Sequence, residues 1–177
     1  MFEQIEFFIL DAIQIVRFEL LDRLMVGITT LGNEGIVWII IGVLMLFFKK
    51  YRRAGISVLL GLIFGLVFGN WTIKNIVERA RPCAINTSIE LIIPYPGEFS
   101  FPSGHTLSSF IAATCVFLRN KRFGVFAYIL ASLIAFSRLY LYVHFPTDII
   151  GGILLGIALA HLATWIMKKP QWKWLGD

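Results

Sequence analysis

The sequence predicts an all-α integral membrane protein, folded as a helical bundle in a single domain over residues 1–177. Hydrophobic residues make up 58% of the chain and charged residues only 15%, and the mean hydropathy is +0.78. These values lie outside the range of soluble domains. Long apolar runs recur between short polar connections, and about 20 residues suffice to cross a bilayer. We therefore expect about six helices, of which five cross the membrane.

The first of these elements lies in the N-terminal segment, residues 1–31, whose part from Glu3 to Arg17 is amphipathic. With successive residues about 100° apart, polar and apolar side chains separate onto two sides of a helix. The polar side carries Glu3, Gln4, Glu6, Asp11, Gln14 and Arg17, and the apolar side carries Phe8, Ile9, Ile13 and Val16. This predicts a helix in the membrane interface or packed on the bundle. A signal peptide is disfavoured because its first residues should be basic, and whether the segment crosses the membrane stays open.

Five apolar runs then predict the transmembrane helices. They are Gly35 to Phe48, Ala54 to Ile73, Thr106 to Leu118, Phe123 to Phe136 and Ile149 to Met167. The shorter runs require flanking Lys and Arg side chains that extend to the interface. Small residues recur every four positions in two of the runs and predict close helix packing. These are Ser57, Gly61, Gly65 and Gly69 in one run, and Gly152 and Gly156 in the other.

Basic residues concentrate in alternate connections, at 49–53, 119–122 and 168–169. The positive-inside rule places these connections in the cytoplasm. The net charge of +5 is then explained by topology and by contact with anionic lipid, and not by nucleic acid. The connections at 74–101 and 138–146 face the opposite side, where polar residues from distant parts of the sequence meet.

The first polar cluster on that side is KNIVERARP. Lys74 and Arg81 are seven residues apart, so a continuous helix would place both on one face. Pro82 is expected to end that helix, and Glu78 is the predicted ion-pair partner of Lys74. Taken alone, two cations at this depth are typical of lipid-anchoring residues.

The second cluster opens the helix that follows. Pro102 favours a helix start, Ser103 is a preferred N-cap and Gly104 permits close approach of the backbone. The free N–H groups of such a start attract anions, and His105 projects from its first turn. By itself this stretch is equally consistent with an ordinary capped helix.

The third cluster, SRLYLYVHFPTD, joins two predicted spans. Arg138 ends one span, and Pro146 opens the next with Asp148 in its first turn. The spacing lets Asp148 accept a hydrogen bond from one ring nitrogen of His144, which leaves the other nitrogen free as a nucleophile. A buried structural His-Asp pair is the alternative.

Together the clusters collect three cations, two histidines and an aspartate at the outer ends of separate helices. Such groups are costly in a membrane and mark function. Fixed cations require an anion, and phosphate suits both Arg geometry and a helix start. No carboxylate cluster suited to Mg²⁺ accompanies them in the sequence, so we expect neither a metal nor another cofactor.

The same residues resemble the three-part signature of the type 2 phosphatidic acid phosphatase (PAP2), or lipid phosphate phosphatase, superfamily. All eleven specified positions are present in order: Lys74, Arg81, Pro82, Pro102, Ser103, Gly104, His105, Ser137, Arg138, His144 and Asp148. The match covers residues 74–148, the catalytic motif region. The resemblance implies a PAP2/haloperoxidase-like helical core and a metal-independent phosphohistidine mechanism.

The resemblance also implies a role for each residue. The phosphoryl oxygens are assigned to Lys74, Arg81, Arg138, Ser103 and Gly104. His144 attacks phosphorus, Asp148 orients His144, and His105 protonates the leaving oxygen and later activates water. Soluble acid phosphatases and vanadium haloperoxidases share this residue set, but the apolar spans favour a substrate with lipid tails.

The predicted function is hydrolysis of a terminal phosphate of a membrane lipid. Undecaprenyl diphosphate and lipid A 1-phosphate are the leading substrates, and phosphatidylglycerophosphate and phosphatidic acid are the others. The chain is expected in a bacterial inner membrane, with its site facing the periplasm or exterior. A protein that binds or transports phosphate lipids without hydrolysing them is the alternative, and the sequence leaves the oligomeric state open.

Overall fold

The computed structural model describes residues 2–169 and residue 172. Within these residues the chain forms helices joined by turns and loops, as the sequence predicts. The helices are α1 (Phe2–Gln14), α2 (Glu19–Leu31), α3 (Ile36–Leu46), α4 (Arg52–Phe64), α5 (Lys74–Val77), α6 (Pro82–Ile85), α7 (Gly104–Arg119), α8 (Lys121–Tyr140) and α9 (Pro146–Met167). A 3₁₀ turn, Asn33–Gly35, precedes α3, and a π-helical stretch, Gly65–Ile73, connects α4 to α5.

Each of the five apolar runs lies in a helix. Among the described residues, the helices Arg52–Ile85, Lys121–Tyr140 and Pro146–Met167 are long and apolar enough to cross a membrane. A fourth span is present if the pair Glu19–Leu31 and Asn33–Leu46, bent by 44°, is taken as one. The described residues thus contain three or four candidate spans by length and composition, fewer than the five predicted. Helix α7 has 16 residues, about 24 Å of helix. It packs against α4, α8 and α9, so it forms the centre of the bundle.

The N-terminal segment contains two helices where the sequence analysis predicted one. Helix α1 packs on the bundle through a mixed face, in which Leu10 is fully buried, Glu6 is only 3% exposed and Asp11 accepts a hydrogen bond from Tyr142 Oη at 2.7 Å. Its apolar side faces outward, with Phe8 73% exposed. Helix α2, which was not predicted, packs against α8 and buries Met25. An apolar outer surface suits a helix that contacts lipid.

The predicted small-residue stripes do mediate close packing. A Cβ added at Gly65 would lie 2.7 Å from Ile111 Cδ1, and one at Gly156 would lie 3.0 Å from the carbonyl oxygen of Leu107. Helix α7 is thus held closely between α4 with its π-helical extension on one side and α9 on the other. This packing fixes the position of the first turn of α7, which carries Gly104 and His105.

Replacing Gly156 by leucine is expected to destabilise the bundle by about 1–3 kcal/mol, because the added side chain forces α9 away from the α7 backbone. Thermal unfolding in detergent micelles measures the effect. Gly27→Leu is the matched control, since a Cβ at Gly27 meets nothing within 4 Å. Equal melting temperatures for the two variants would contradict the packing argument.

The basic connections meet at one end of the bundle. Arg119 Nε donates to the carbonyl oxygen of Lys50 at 2.6 Å, and Arg53, Arg119 and Lys168 line one small cavity. The motif residues lie at the opposite ends of the same helices. His105, in the first turn of α7, is about 21 Å along that helix from Arg119.

Candidate active site

A cavity of about 590 Å³ at this opposite end brings most of the motif residues together. Its walls include Lys74, Arg81, Gly104, His105, Arg138 and His144. The remaining two predicted site residues, Ser103 and Asp148, are fully buried. Ser103 directly precedes the lining residue Gly104, and Asp148 contacts the lining residue His144. The wall therefore combines residues from α5, the segment before α6, α7, α8 and the connection to α9.

Lys74 and Arg81 reach the cavity by a different route from the predicted one. The helix ends at Val77, and Glu78 adopts a left-handed conformation with φ of 48°, so the two cations do not share a helix face. The predicted ion pair between Lys74 and Glu78 is also wrong. Lys74 Nζ instead contacts Glu98 Oε2 at 2.7 Å, and this hydrogen bond lowers the pKa of Glu98.

Arg81 is held mainly by backbone oxygens. Its Nε donates to the carbonyl of Glu98 at 2.7 Å, and its Nη1 donates to the carbonyl of Val143 at 2.8 Å. The side chain is only 5% exposed. Its charge is therefore retained beside the cavity, because backbone carbonyls satisfy its donors without neutralising it.

Arg138 projects from the last turn of α8 and is 4% exposed. Its Nη1 donates to Thr29 Oγ1 of α2 at 2.6 Å. Its Nε is buried and has no hydrogen-bond partner among the described residues. Since a buried charged donor without an acceptor is costly, a guanidinium in the cavity wall with this geometry is suited to an oxyanion ligand.

His144 lies in the connection between α8 and α9, and Asp148 lies in the first turn of α9 as predicted. Nδ1 of His144 is 3.4 Å from Asp148 Oδ2, longer than an ordinary N–H···O bond. Nε2, which was predicted to be free, is 3.0 Å from Arg81 Nη1. Because a guanidinium only donates, this contact directs the Nε2 lone pair toward Arg81 and places the proton on Nδ1.

Burial lowers the pKa of His144 to about 3, and the hydrogen bond to Asp148 opposes this change. The imidazole is consequently neutral over the ordinary range of pH. A neutral imidazole with an unprotonated Nε2 is the form that acts as a nucleophile.

The first turn of α7 has the predicted cap. Ser103 is the N-cap residue, and its Oγ accepts a bond from the Thr106 amide at 3.5 Å and one from the Thr106 hydroxyl at 3.0 Å. His105 faces the cavity, where its Nε2 is 2.9 Å from Asn33 Oδ1. Because an amide oxygen only accepts, this contact places a proton on Nε2 of His105.

Several polar residues of the site were not predicted from the sequence, among them Asn70, Asn33 and Thr29. Asn70 lines the cavity, and its Oδ1 would lie 3.0 Å from a Cβ at position 104, which explains why glycine occurs there. A signal for it existed, since Asn70 precedes Lys74 by one helical turn. Asn33 and Thr29 had no such signal, because only the fold brings the N-terminal region to the motifs.

Most of the remaining lining of the cavity is apolar, although Glu34 and Ser108 also border it. Its aliphatic wall, from α3, α4 and the π-helical stretch, consists of Ile39, Leu59, Leu62, Ile63, Gly65 and Leu66. Pro96, Gly97 and Glu98 border it as well, so the loop before α7 forms part of the cavity wall. The cavity is therefore continuous between a cationic part, which suits an anionic group, and an aliphatic part, which suits an apolar one.

Comparison with known proteins gives concordant matches. A family model described as the PAP2 superfamily matches residues 54–172. The chain is 33% identical over 147 residues to an undecaprenyl-diphosphatase of Sulfolobus acidocaldarius, covering 82% of this chain and 70% of that protein. It is also 33% identical over 174 residues to phosphatidylglycerophosphatase B of Bacillus subtilis, covering 88% of this chain and 79% of that protein.

The fold is also similar to a solved structure. The crystal structure of a transmembrane PAP2 type phosphatidylglycerolphosphate phosphatase from Bacillus subtilis superposes with a TM-score of 0.78 at 29% identity. The superposition covers 95% of this chain and 87% of that one. The helical arrangement around the cavity is therefore shared with a membrane phosphatase.

Proposed function

The chain belongs to the PAP2 superfamily, and from this premise we propose a substrate class and a mechanism for it. It is an integral membrane enzyme that hydrolyses lipid phosphate esters. The proposed substrate is a lipid with a terminal phosphate, and undecaprenyl diphosphate is the first candidate. Its two phosphates suit a cavity bordered by three buried cations, and its long prenyl chain suits the aliphatic wall.

In the first step Nε2 of His144 attacks phosphorus, and a bond between nitrogen and phosphorus forms as the bond to the leaving oxygen breaks. Lys74, Arg81 and Arg138 counter the charge on the equatorial oxygens, the role in which positioned cations contribute most. His105 enters this step as the imidazolium and gives one proton to the leaving oxygen, which leaves His105 neutral. Asp148 stabilises the positive charge that develops on His144 through Nδ1.

In the second step water attacks the phosphohistidine. His105, now without its proton, takes one from that water. The nitrogen–phosphorus bond breaks, inorganic phosphate leaves, and both imidazoles return to their starting forms. Gly104 and Ser103 contribute the start of α7, whose dipole favours the anion.

The observation that carries this proposal is the convergence of three buried cations and two imidazoles on one cavity. Lys74, Arg81 and Arg138 are each no more than 5% exposed. A cluster of like charges at that burial is unfavourable unless an anion completes it. A lipid transporter needs the cations but has no use for a neutral histidine fixed by an aspartate.

The proposed orientation places the cavity on the periplasmic or outer side. Its support is the basic end of the bundle, where Arg53, Arg119 and Lys168 meet. The positive-inside rule assigns that end to the cytoplasm. The cavity then opens at the other surface, within reach of headgroups of the outer leaflet.

Release of inorganic phosphate from purified protein in detergent tests the function. The panel contains undecaprenyl diphosphate, lipid A 1-phosphate, phosphatidylglycerophosphate and phosphatidic acid. We expect full activity in EDTA, because the three cations provide the charge compensation that Mg²⁺ often provides. Vanadate is expected to inhibit, since it mimics pentacoordinate phosphorus. Activity that EDTA abolishes and Mg²⁺ restores would contradict the mechanism.

A further inference from the structure

Arg79 lies in the first motif stretch, at a position that the family signature leaves unspecified. It is not among the residues that line the phosphate cavity. Its Nη1 contacts Asp148 Oδ1 at 2.8 Å and Thr147 Oγ1 at 2.6 Å. Its guanidinium carbon is 4.0 Å from the centroid of the Phe145 ring. Arg79 thus approaches the start of α9 from the side opposite the substrate.

The contact with Arg79 fixes one of the two oxygens of Asp148. The other oxygen, Oδ2, accepts from the Phe145 amide at 2.8 Å and from the hydroxyl of Ser100, and it faces His144 Nδ1. With the carboxylate 0% exposed, its orientation depends on these partners. Since a carboxylate rotates about its χ2 bond, a charged donor on Oδ1 determines which oxygen His144 meets.

Glu6 of α1 forms an ion pair with the guanidinium nitrogen of Arg79 that does not contact Asp148. Its Oε2 contacts Arg79 Nη2 at 2.5 Å, and its Oε1 accepts from the Thr147 amide at 3.1 Å and the Thr147 hydroxyl. The carboxylate of Glu6 is buried, and burial of a charge is tolerated only when hydrogen bonds and an opposite charge satisfy it. A continuous series of polar contacts therefore links α1 to the proposed nucleophile, from Glu6 through Arg79 and Asp148 to His144.

We propose that Arg79 and Glu6 are positioning residues that orient Asp148 toward His144, and that the N-terminal helix thereby takes part in building the active site. The inference rests on the proposed function, in which His144 is the nucleophile. Outer partners of a reacting imidazole typically contribute 10–100-fold to activity at metal centres. A comparable effect is expected here, confined to the chemical step.

Arg79→Met is the principal variant. We expect kcat for phosphate release to fall about 10–100-fold, with KM and lipid binding within about twofold of wild type, because Arg79 does not touch the phosphate cavity. Arg79→Lys, which keeps the charge but not the planar fork, is expected to recover part of the loss. Glu6→Gln is expected to lose less than Arg79→Met. The double variant should lose no more than Arg79→Met alone, since the two residues act as a unit.

The matched controls are Arg23→Met and Glu19→Gln. This pair on α2 also forms an ion pair at 2.5 Å, but its side chains are 76% and 80% exposed. Their kcat should equal that of wild type. An unchanged kcat in Arg79→Met, or a loss that appears in KM and melting temperature together, overturns the inference. If Arg79→Met does not fold, Arg79→Lys and Glu6→Gln test the inference by the same criterion: a fall in kcat with unchanged KM supports it, and an unchanged kcat overturns it.

These outcomes are distinct from a failure of the proposed function. A wild-type protein that releases no phosphate from any lipid of the panel contradicts the function itself. An active wild type whose His144 forms a phosphoenzyme, combined with an equally active Arg79→Met, contradicts only the positioning role.

Discussion

Replacing His144 by alanine is expected to lower phosphate release by about 10⁴–10⁶-fold, as removal of a nucleophile does in other enzymes with covalent intermediates. The imidazole is the proposed attacking group, whereas the other imidazole of the cavity, His105, directs its Nε2 to Asn33 Oδ1. Lipid binding should persist, because Lys74, Arg81 and Arg138 remain. Brief incubation with ³²P-labelled lipid followed by rapid denaturation is expected to trap an acid-labile phosphohistidine in wild type and none in the variant.

The control for this variant is His161→Ala. His161 is the third histidine of the chain, and it lies exposed on α9, away from the cavity. His144→Gln serves beside it, since glutamine fills more of the buried volume than alanine and separates loss of the nucleophile from loss of packing. Full turnover by His144→Ala would mean that the cavity binds phosphate lipids by its cations alone and performs no covalent chemistry through this residue.

Much of the candidate site was predictable because its residue types are rare in apolar surroundings. His105, Arg138 and Asp148 lie at the ends of runs that otherwise read as membrane helices, and the alternation of basic connections placed them at the same membrane face. The i to i+4 relation between His144 and Asp148 followed from spacing alone, and the structure shows this contact at 3.4 Å. Hydropathy therefore predicted the helices, and the distribution of basic residues predicted the end of the bundle at which the polar residues meet.

The predictions for Lys74, Arg81 and Glu78 were wrong because backbone conformation and contacts between distant residues determine where these side chains lie. Lys74 and Arg81 share the cavity although the helix between them ends at Glu78 in a left-handed conformation, which the sequence does not require of a glutamate. Spacing favoured Glu78 as the partner of Lys74, but the long loop brings Glu98 there instead. No local pattern reveals a contact across 24 residues.

The orientation of α1 on the bundle also could not be predicted from its sequence pattern. Its amphipathic pattern correctly predicted a helix with two different faces, but the usual assumption directs the polar face to water. In the structure two members of that face turn to the protein, Glu6 to Arg79 and Gln14 to the carbonyl oxygen of Tyr140, while Glu3 and Gln4 stay exposed. Hydropathy distinguishes the two faces but does not determine which one meets protein when the surroundings include lipid.

Replacing His105 by alanine is expected to have an effect that depends on the leaving group. A general acid contributes about 10²–10⁴-fold, and the need for it grows with the basicity of the departing oxygen. A phosphatidic acid releases an alkoxide, which is a strong base and needs a proton as it departs. A lipid diphosphate releases a phosphate monoester with a second pKa of about 6. The variant should therefore lose phosphatidic acid hydrolysis far more than the first step on a diphosphate.

The second step distinguishes this role from simple binding, because His105 is also the proposed base for water. In His105→Ala acting on a diphosphate, the phosphohistidine on His144 should form in a burst and then persist, since its hydrolysis lacks a base. Quenched-flow measurement of labelled protein beside released phosphate detects that burst, with His161→Ala as the reference. Equal losses on both leaving groups and no accumulated phosphoenzyme would show that His105 holds the substrate without transferring a proton. Its Nε2, whose proton faces Asn33 at 2.9 Å, would then be an anchoring donor, and another group would have to protonate the leaving oxygen.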